Sequence, residues 1–127
     1  MLAIPLDKND STTISDLFGN APYFALLDTK TNKYKVEKNS GCGNGLESAA
    51  FVKNSGANAT IFFHMGDGVF KNFYENNIKV YCVEKKYLTI EEISKKVAEK
   101  SLAVVTKENA KTLLDSGTAT CRCECND

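Results

Sequence analysis

With 127 residues, 43% hydrophobic and 25% charged, the chain has the length of one domain and the composition of an ordinary globular protein, which argues against two separate cores and against general disorder. Sixteen basic and sixteen acidic residues cancel to a net charge of +0, so no general attraction to nucleic-acid backbones or anionic lipid is expected. The opening MLAIPLDKND lacks the positive flank and apolar length of a secretion signal, and no later stretch is long enough to span a bilayer; a cytoplasmic location is therefore expected.

Residues 2–6 read as a first strand, with Pro5 marking its end because it cannot donate to a ladder. A polar loop is expected from Asp7 to about Asn20. Residues 23–27 form a continuous apolar strand, 28–32 a turn, and 34–37 an alternating strand at or near an edge, giving an antiparallel hairpin. After residue 45 the period becomes helical. Leu46, Ala49, Ala50 and the stem of Lys53 share one face, and Gly56 supplies a left-handed stop.

Residues 60–63 form the next core strand, Val69, Phe70, Phe73 and Tyr74 recur at helical spacing, and residues 78–83 alternate as a strand. Thr89 and Glu92 have the spacing of a capping box, ahead of a helix whose inward stripe is Ile90, Ile93, Val97 and Ala98. Thr106 is placed to cap a last short helix, with Ala110, Leu113 and Leu114 inward and Gly117 at its end.

This order predicts an α/β fold: a mixed five-stranded sheet of order 3-2-1-4-5, strands 1, 4 and 5 parallel, strand 2 antiparallel, flanked by helices. One domain is expected over residues 1–117, with 118–127 as a flexible, Cys-rich tail. In such a sheet the ligand crevice opens beside the carboxyl ends of strands 1 and 4, where His64 and Gly66 fall.

His64 is the single histidine. At the rim of a strand its imidazole suits a borderline metal, with Met65 adding a soft sulfur next door unless it fills the core. Gly66 and Gly68 permit close backbone approach, and the helix starting near Asp67 presents amides to an anion.

The loop Gly41-Cys42-Gly43-Asn44-Gly45 lacks the Lys-Ser/Thr ending of a nucleotide-binding loop. Its amides are expected to fold around an anionic cluster, or to let Cys42 reach one; a plain connection is the alternative. Cys121, Cys123 and Cys125 alternate near the end of the chain and suit a soft ion, with Cys42 or His64 completing a set if the tail folds back. Cys82, inside a strand, reads as a buried thiol. Asp7, Glu47 and Asp67 define a competing arrangement, the carboxylate set of a divalent-metal nuclease.

The stretch Ser15-Asp16-Leu17-Phe18-Gly19-Asn20-Ala21-Pro22-Tyr23-Phe24, with Asp28, Asn39, the 41–45 loop, residues 61–73 and Asn77-Ile78-Lys79-Val80-Tyr81, resembles the dinitrogenase iron-molybdenum cofactor biosynthesis family over residues 1 to about 104. The resemblance implies a ribonuclease-H-like fold and a non-enzymatic role: binding, storing or transferring an iron-sulfur or molybdenum-containing cluster, or a single soft metal ion. It implies a cluster pocket at Phe18 and Gly19, at Gly41, Gly43 and Gly45, and at His64 and Gly66. Phe18 and Phe24 would form an apolar wall. A cluster donor or acceptor protein is the implied partner; the balanced charge and the lack of a spanning stretch predict no nucleic acid and no membrane, and a homodimer sharing a site through its tails is a further arrangement. Many relatives have a small residue and a second glycine where this chain has His64 and Met65, and the Cys-x-Cys-x-Cys tail lies outside the family pattern. A redox-sensitive interaction module built on that tail is the alternative function.

Overall fold

Apolar residues run without interruption through the central strands, and such runs need cover on both faces of a sheet. The computed structural model describes residues 1–16, 18–83 and 88–109. In β1 (Leu2–Leu6), Ala3 joins one core while Leu2, Ile4 and Leu6 join the other. β2 (Tyr23–Asp28) divides Phe24 and Leu26 from Ala25 and Leu27 in the same way. α1 (Gly45–Asn54) and α2 (Asp67–Glu75) contribute to the first core, α3 (Ile90–Ala98) to the second.

With β3 (Lys33–Lys38), β4 (Ala59–Phe62), β5 (Lys79–Cys82) and β6 (Ala103–Val104), the sheet has six strands in the order β3-β2-β1-β4-β5-β6. β1 is antiparallel to β2 and parallel to β4; β4 and β5 are parallel, and β2 and β3 form the antiparallel hairpin. The expected order and directions hold. β6, antiparallel to β5, is an addition: two residues carry no readable alternation.

Three local expectations are corrected. Pro5 lies inside β1, opposite Phe24, and the strand ends at Leu6; pairing with β4 covers Leu2 and Ala3 and stops before Pro5. The 7–20 segment is not merely a polar loop, because Ile14 and Phe18 are each 1% exposed and anchor it in the two cores. The buried face of α1 carries Ser48, Ala49 and Val52, whereas Leu46 is 55% exposed and Ala50 faces solvent. The capping box forms as read, with the Thr89 hydroxyl accepting from the Glu92 amide at 3.0 Å and the Glu92 carboxylate from the Thr89 amide at 3.0 Å. Gly56 takes φ 89°, the left-handed stop. Thr106 and Asn109 cap each other's amides in a turn, and the helix expected beyond them lies outside the described residues. Among the described residues no helix is long and apolar enough to cross a membrane.

Candidate functional site

Three chain segments meet where β1 and β4 end and α1 and α2 begin. The segment entering β2 is tied to the one leaving β4, since Phe18 N–H donates to the His64 carbonyl at 3.2 Å and His64 N–H to the Asp16 carbonyl at 3.1 Å. It is tied to the glycine loop by Gly43 N–H to the Gly19 carbonyl, 2.9 Å. A Cβ on Gly19 would stand 3.1 Å from the Gly45 Cα, and one on Gly45 would stand 2.6 Å from a Val69 methyl. Glycine is therefore required at Gly45 by the close approach of the first turns of α1 and α2. Phe18, Gly19, Gly41, Gly43, Gly45, His64 and Gly66 all belong to this junction.

Phe18 fixes its floor. Its ring meets Phe24 and Phe73 edge-on, with centroids 5.3 and 5.5 Å away, an arrangement aromatic quadrupoles favour. Met65 is 3% exposed and belongs to the same core, so it packs there as filler. His64 is half-buried, its ring centroid 4.6 Å from that of Phe63.

The glycine loop is wired inward. Gly41 N–H donates to Asn39 Oδ1 at 2.8 Å, Cys42 N–H to the Asn39 carbonyl at 3.4 Å and Asn44 N–H to the Gly41 carbonyl at 3.0 Å, besides the Gly43 bond to Gly19. Four successive amides expected to cradle an anion are thus engaged within the protein, and the loop forms a wall instead. Gly41 is buried, and a Cβ there would run into the backbone of Glu47 and Ser48. At the start of α2 the backbone of Gly66 stands in a β-bridge. Gly66 is the N-cap of α2; among the described residues no side chain caps that end, and nothing lies within 4 Å of the Cβ positions of Gly66 or Gly68. Helix starts leave amides without intrahelical partners.

Cys42 is exposed on the loop, with its thiol 3.4 Å from the Asn20 carbonyl, and Cys82 is buried as read. Asp7 accepts a 2.7 Å hydrogen bond from the Ser15 hydroxyl, Glu47 lies exposed in the first turn of α1, and Asp67 opens α2. Among the described residues, no three His, Cys, Asp or Glu side chains gather into a group able to hold a metal ion. Cys121, Cys123 and Cys125 lie outside the described residues.

The residues that sequence reasoning left without a role are Asn39 and Ser48, which are 2% and 0% exposed and hold the junction together. The signal for Ser48 was a polar residue three positions beyond the helix start, next to Ala49. Its apolar neighbours Leu46 and Ala50 mask that signal, because they point to a different inward face.

A small mixed α/β domain with a loop junction at the carboxyl ends of its parallel strands is the class this fold and site define. The chain belongs to the family described as dinitrogenase iron-molybdenum cofactor, whose model matches residues 1–100. Its fold is similar to the apo form of the orange protein from Desulfovibrio gigas, at 19% identity and a TM-score of 0.73, with 83% of this chain and 92% of that one covered. It is also similar to the solution structure of a Thermotoga protein of the DUF35 family, at 26% identity and a TM-score of 0.66, covering 84% of this chain and 97% of that one. Among curated proteins none matches the chain.

Proposed function

We propose that the protein binds, stores or hands on a metal-sulfur cluster, iron-sulfur or molybdenum-containing, as cargo and without chemistry of its own. The carrying observation is the start of α2 beside His64 and the 41–45 wall, where among the described residues no side chain caps the helix and nothing lies within 4 Å of the Cβ positions of Gly66 and Gly68. Bridging sulfides are anionic acceptors, and unpaired amides at a helix start are directed donors for them. The first turn of α1 also brings the Glu47 carboxylate, so attraction rests on aimed amides and not on net charge. Gly41, Gly43, Gly45, Phe18 and Gly19 shape the wall and floor, while the His64 imidazole and the Cys42 thiol are donors suited to the metals themselves. A site without a closed cage among the described residues suits cargo that must be released to an acceptor protein.

Cys121, Cys123 and Cys125 are the further ligands of this reading. The described chain ends on the α2 side: Val105 lies in the same core as Phe70 and Phe73, and Lys107 Nζ stands 4.9 Å from the Tyr74 ring centroid. We take residues 1–117 as the domain and 118–127 as the appended thiol segment. The strand order supports the ribonuclease-H-like reading.

The test is anaerobic incubation with ferrous iron and sulfide, and separately with tetrathiomolybdate, followed by desalting, elemental analysis and absorption spectroscopy. Retention of metal together with sulfide, weakened by His64→Ala, is expected. Metal-free protein after both treatments refutes stable carriage.

A further inference from the structure

We infer that Asn39 and Ser48 form a buried clamp that positions the glycine loop and the Gly19–Pro22 segment as one receptive surface. This rests on the carrier reading and names the residues that set its site's shape. Asn39 stands just beyond β3, and its side chain reaches three ways. Nδ2 donates to the Ala21 carbonyl at 2.8 Å and to Ser48 Oγ at 2.9 Å, and Oδ1 accepts from Gly41 N–H at 2.8 Å. Its own N–H donates to the Pro22 carbonyl at 2.8 Å.

Ser48 completes the connection from inside α1. Its oxygen accepts from Asn39, and its hydroxyl lies 3.0 Å from the Gly41 carbonyl and 3.2 Å from that of Gly19. One hydroxyl proton serves one carbonyl at a time, and Gly41 is the nearer. Between them the two side chains touch four backbone groups on the two segments, which also meet directly through the Gly43 amide on the Gly19 carbonyl and the Cys42 thiol on the Asn20 carbonyl.

A clamp differs from ordinary packing in what it specifies. Small apolar side chains would fill the same volume without fixing the direction of any carbonyl or amide, whereas a fully satisfied buried network specifies one arrangement. The polar residue at 48 sits on the same buried face as Ala49 and Val52, where neither neighbour bonds a loop through its side chain. Loss of the Ser48 hydroxyl leaves one Asn39 Nδ2 hydrogen without its acceptor in a buried site and the Gly41 carbonyl with the Asn44 N–H alone. The wall then loses its single geometry while the sheet beneath it remains.

The experiment compares Ser48→Ala with Val52→Ala, a fully buried position one turn further along the same helix that serves as a control for lost stability. Amide hydrogen exchange is read at Gly43, the link between the segments, and in β1 and β2. Uptake of tetrathiomolybdate, and of ferrous iron with sulfide, is read by titration. For Ser48→Ala, Gly43 exchange at least tenfold faster is expected, with strand amides protected as in the wild type and cluster affinity at least tenfold weaker. Val52→Ala is expected to lower thermal stability without separating Gly43 exchange from that of the strands. Asn39→Ala should repeat the Ser48→Ala pattern.

Unaltered Gly43 exchange in Ser48→Ala overturns the clamp. So does unaltered affinity, or an equal loss in Val52→Ala. A wild-type protein that retains neither probe overturns the carrier reading, and with it the clamp's part in binding. Wild-type uptake with an unimpaired Ser48→Ala overturns the clamp alone.

Discussion

Replacing Gly41 by alanine tests whether the glycine loop is a wall or a slack connection. A Cβ at Gly41 would stand 2.3 Å from the Glu47 carbonyl carbon and 2.5 Å from the Ser48 nitrogen, all backbone of the first turns of α1. Neither atom moves without the helix. Either α1 shifts or the loop withdraws, and withdrawal breaks the Gly41 bonds to Asn39 and Ser48. Overpacking of this kind costs about 1–3 kcal/mol, and each buried group left unpaired adds about 1–3 kcal/mol. A loss of about 3–5 kcal/mol is expected, a large share of the roughly 5–15 kcal/mol that holds a domain folded. At roughly 4 °C per kcal/mol for a chain of this size, the melting temperature falls by about 12–20 °C.

Two companions sort this steric effect from other glycine effects. Gly43 has φ 93° with nothing among the described residues within 4 Å of its Cβ position, so Gly43→Ala carries backbone strain alone, about 1–2 kcal/mol. Gly68 lies exposed inside α2 with no described residue within 4 Å of its Cβ position, so Gly68→Ala is expected to stabilise by about 0.4–1 kcal/mol. Urea unfolding of the three variants measures the order directly. A Gly41→Ala protein within about 1 kcal/mol of wild type, or less affected than Gly43→Ala, refutes the reasoning.

Thr89→Ala removes the hydroxyl's bonds to the Glu92 amide and carboxylate while the Thr89 amide keeps its own, and should cost about 1 kcal/mol, read as a small shift in the urea midpoint. Phe18→Ala empties a site 1% exposed beneath the junction and should cost about 3–5 kcal/mol in the same assay. Native-state alkylation with peptide mapping should label Cys42, which is exposed, and spare Cys82, which is 8% exposed; equal labelling would contradict their placement.

The sheet was legible because its evidence is redundant. Residues 23–27 and 34–37 flank a polar turn, and the apolar runs at 60–63 and 78–83 are separated by helical spacing, so order and direction follow together. The capping box and Gly56 were legible because each is a local rule. The face of α1 was not, because a helix pressed against two loops and another helix needs small or polar residues there. Gly45, Ser48 and Ala49 meet that demand, and counting apolar residues favours Leu46 and Ala50 instead. Ile14 and Phe18 were hidden among polar neighbours, since what buries them is contact with strands and helices far along the chain. Around the site, the glycines were visible but their work was not: Gly41 answers to the helix behind it, and its amide to Asn39.

One consequence of the edge strand β3 concerns how copies of this chain meet. Four of its six residues are charged, Lys33, Lys35, Glu37 and Lys38, and Lys35 pairs with Glu37 at 2.9 Å along the strand. A strand laid against this edge would have to crowd or strip water from those side chains, a common guard against runaway stacking. Continuous sheet growth is thus discouraged at β3, and any association between copies is directed toward other surfaces of the domain.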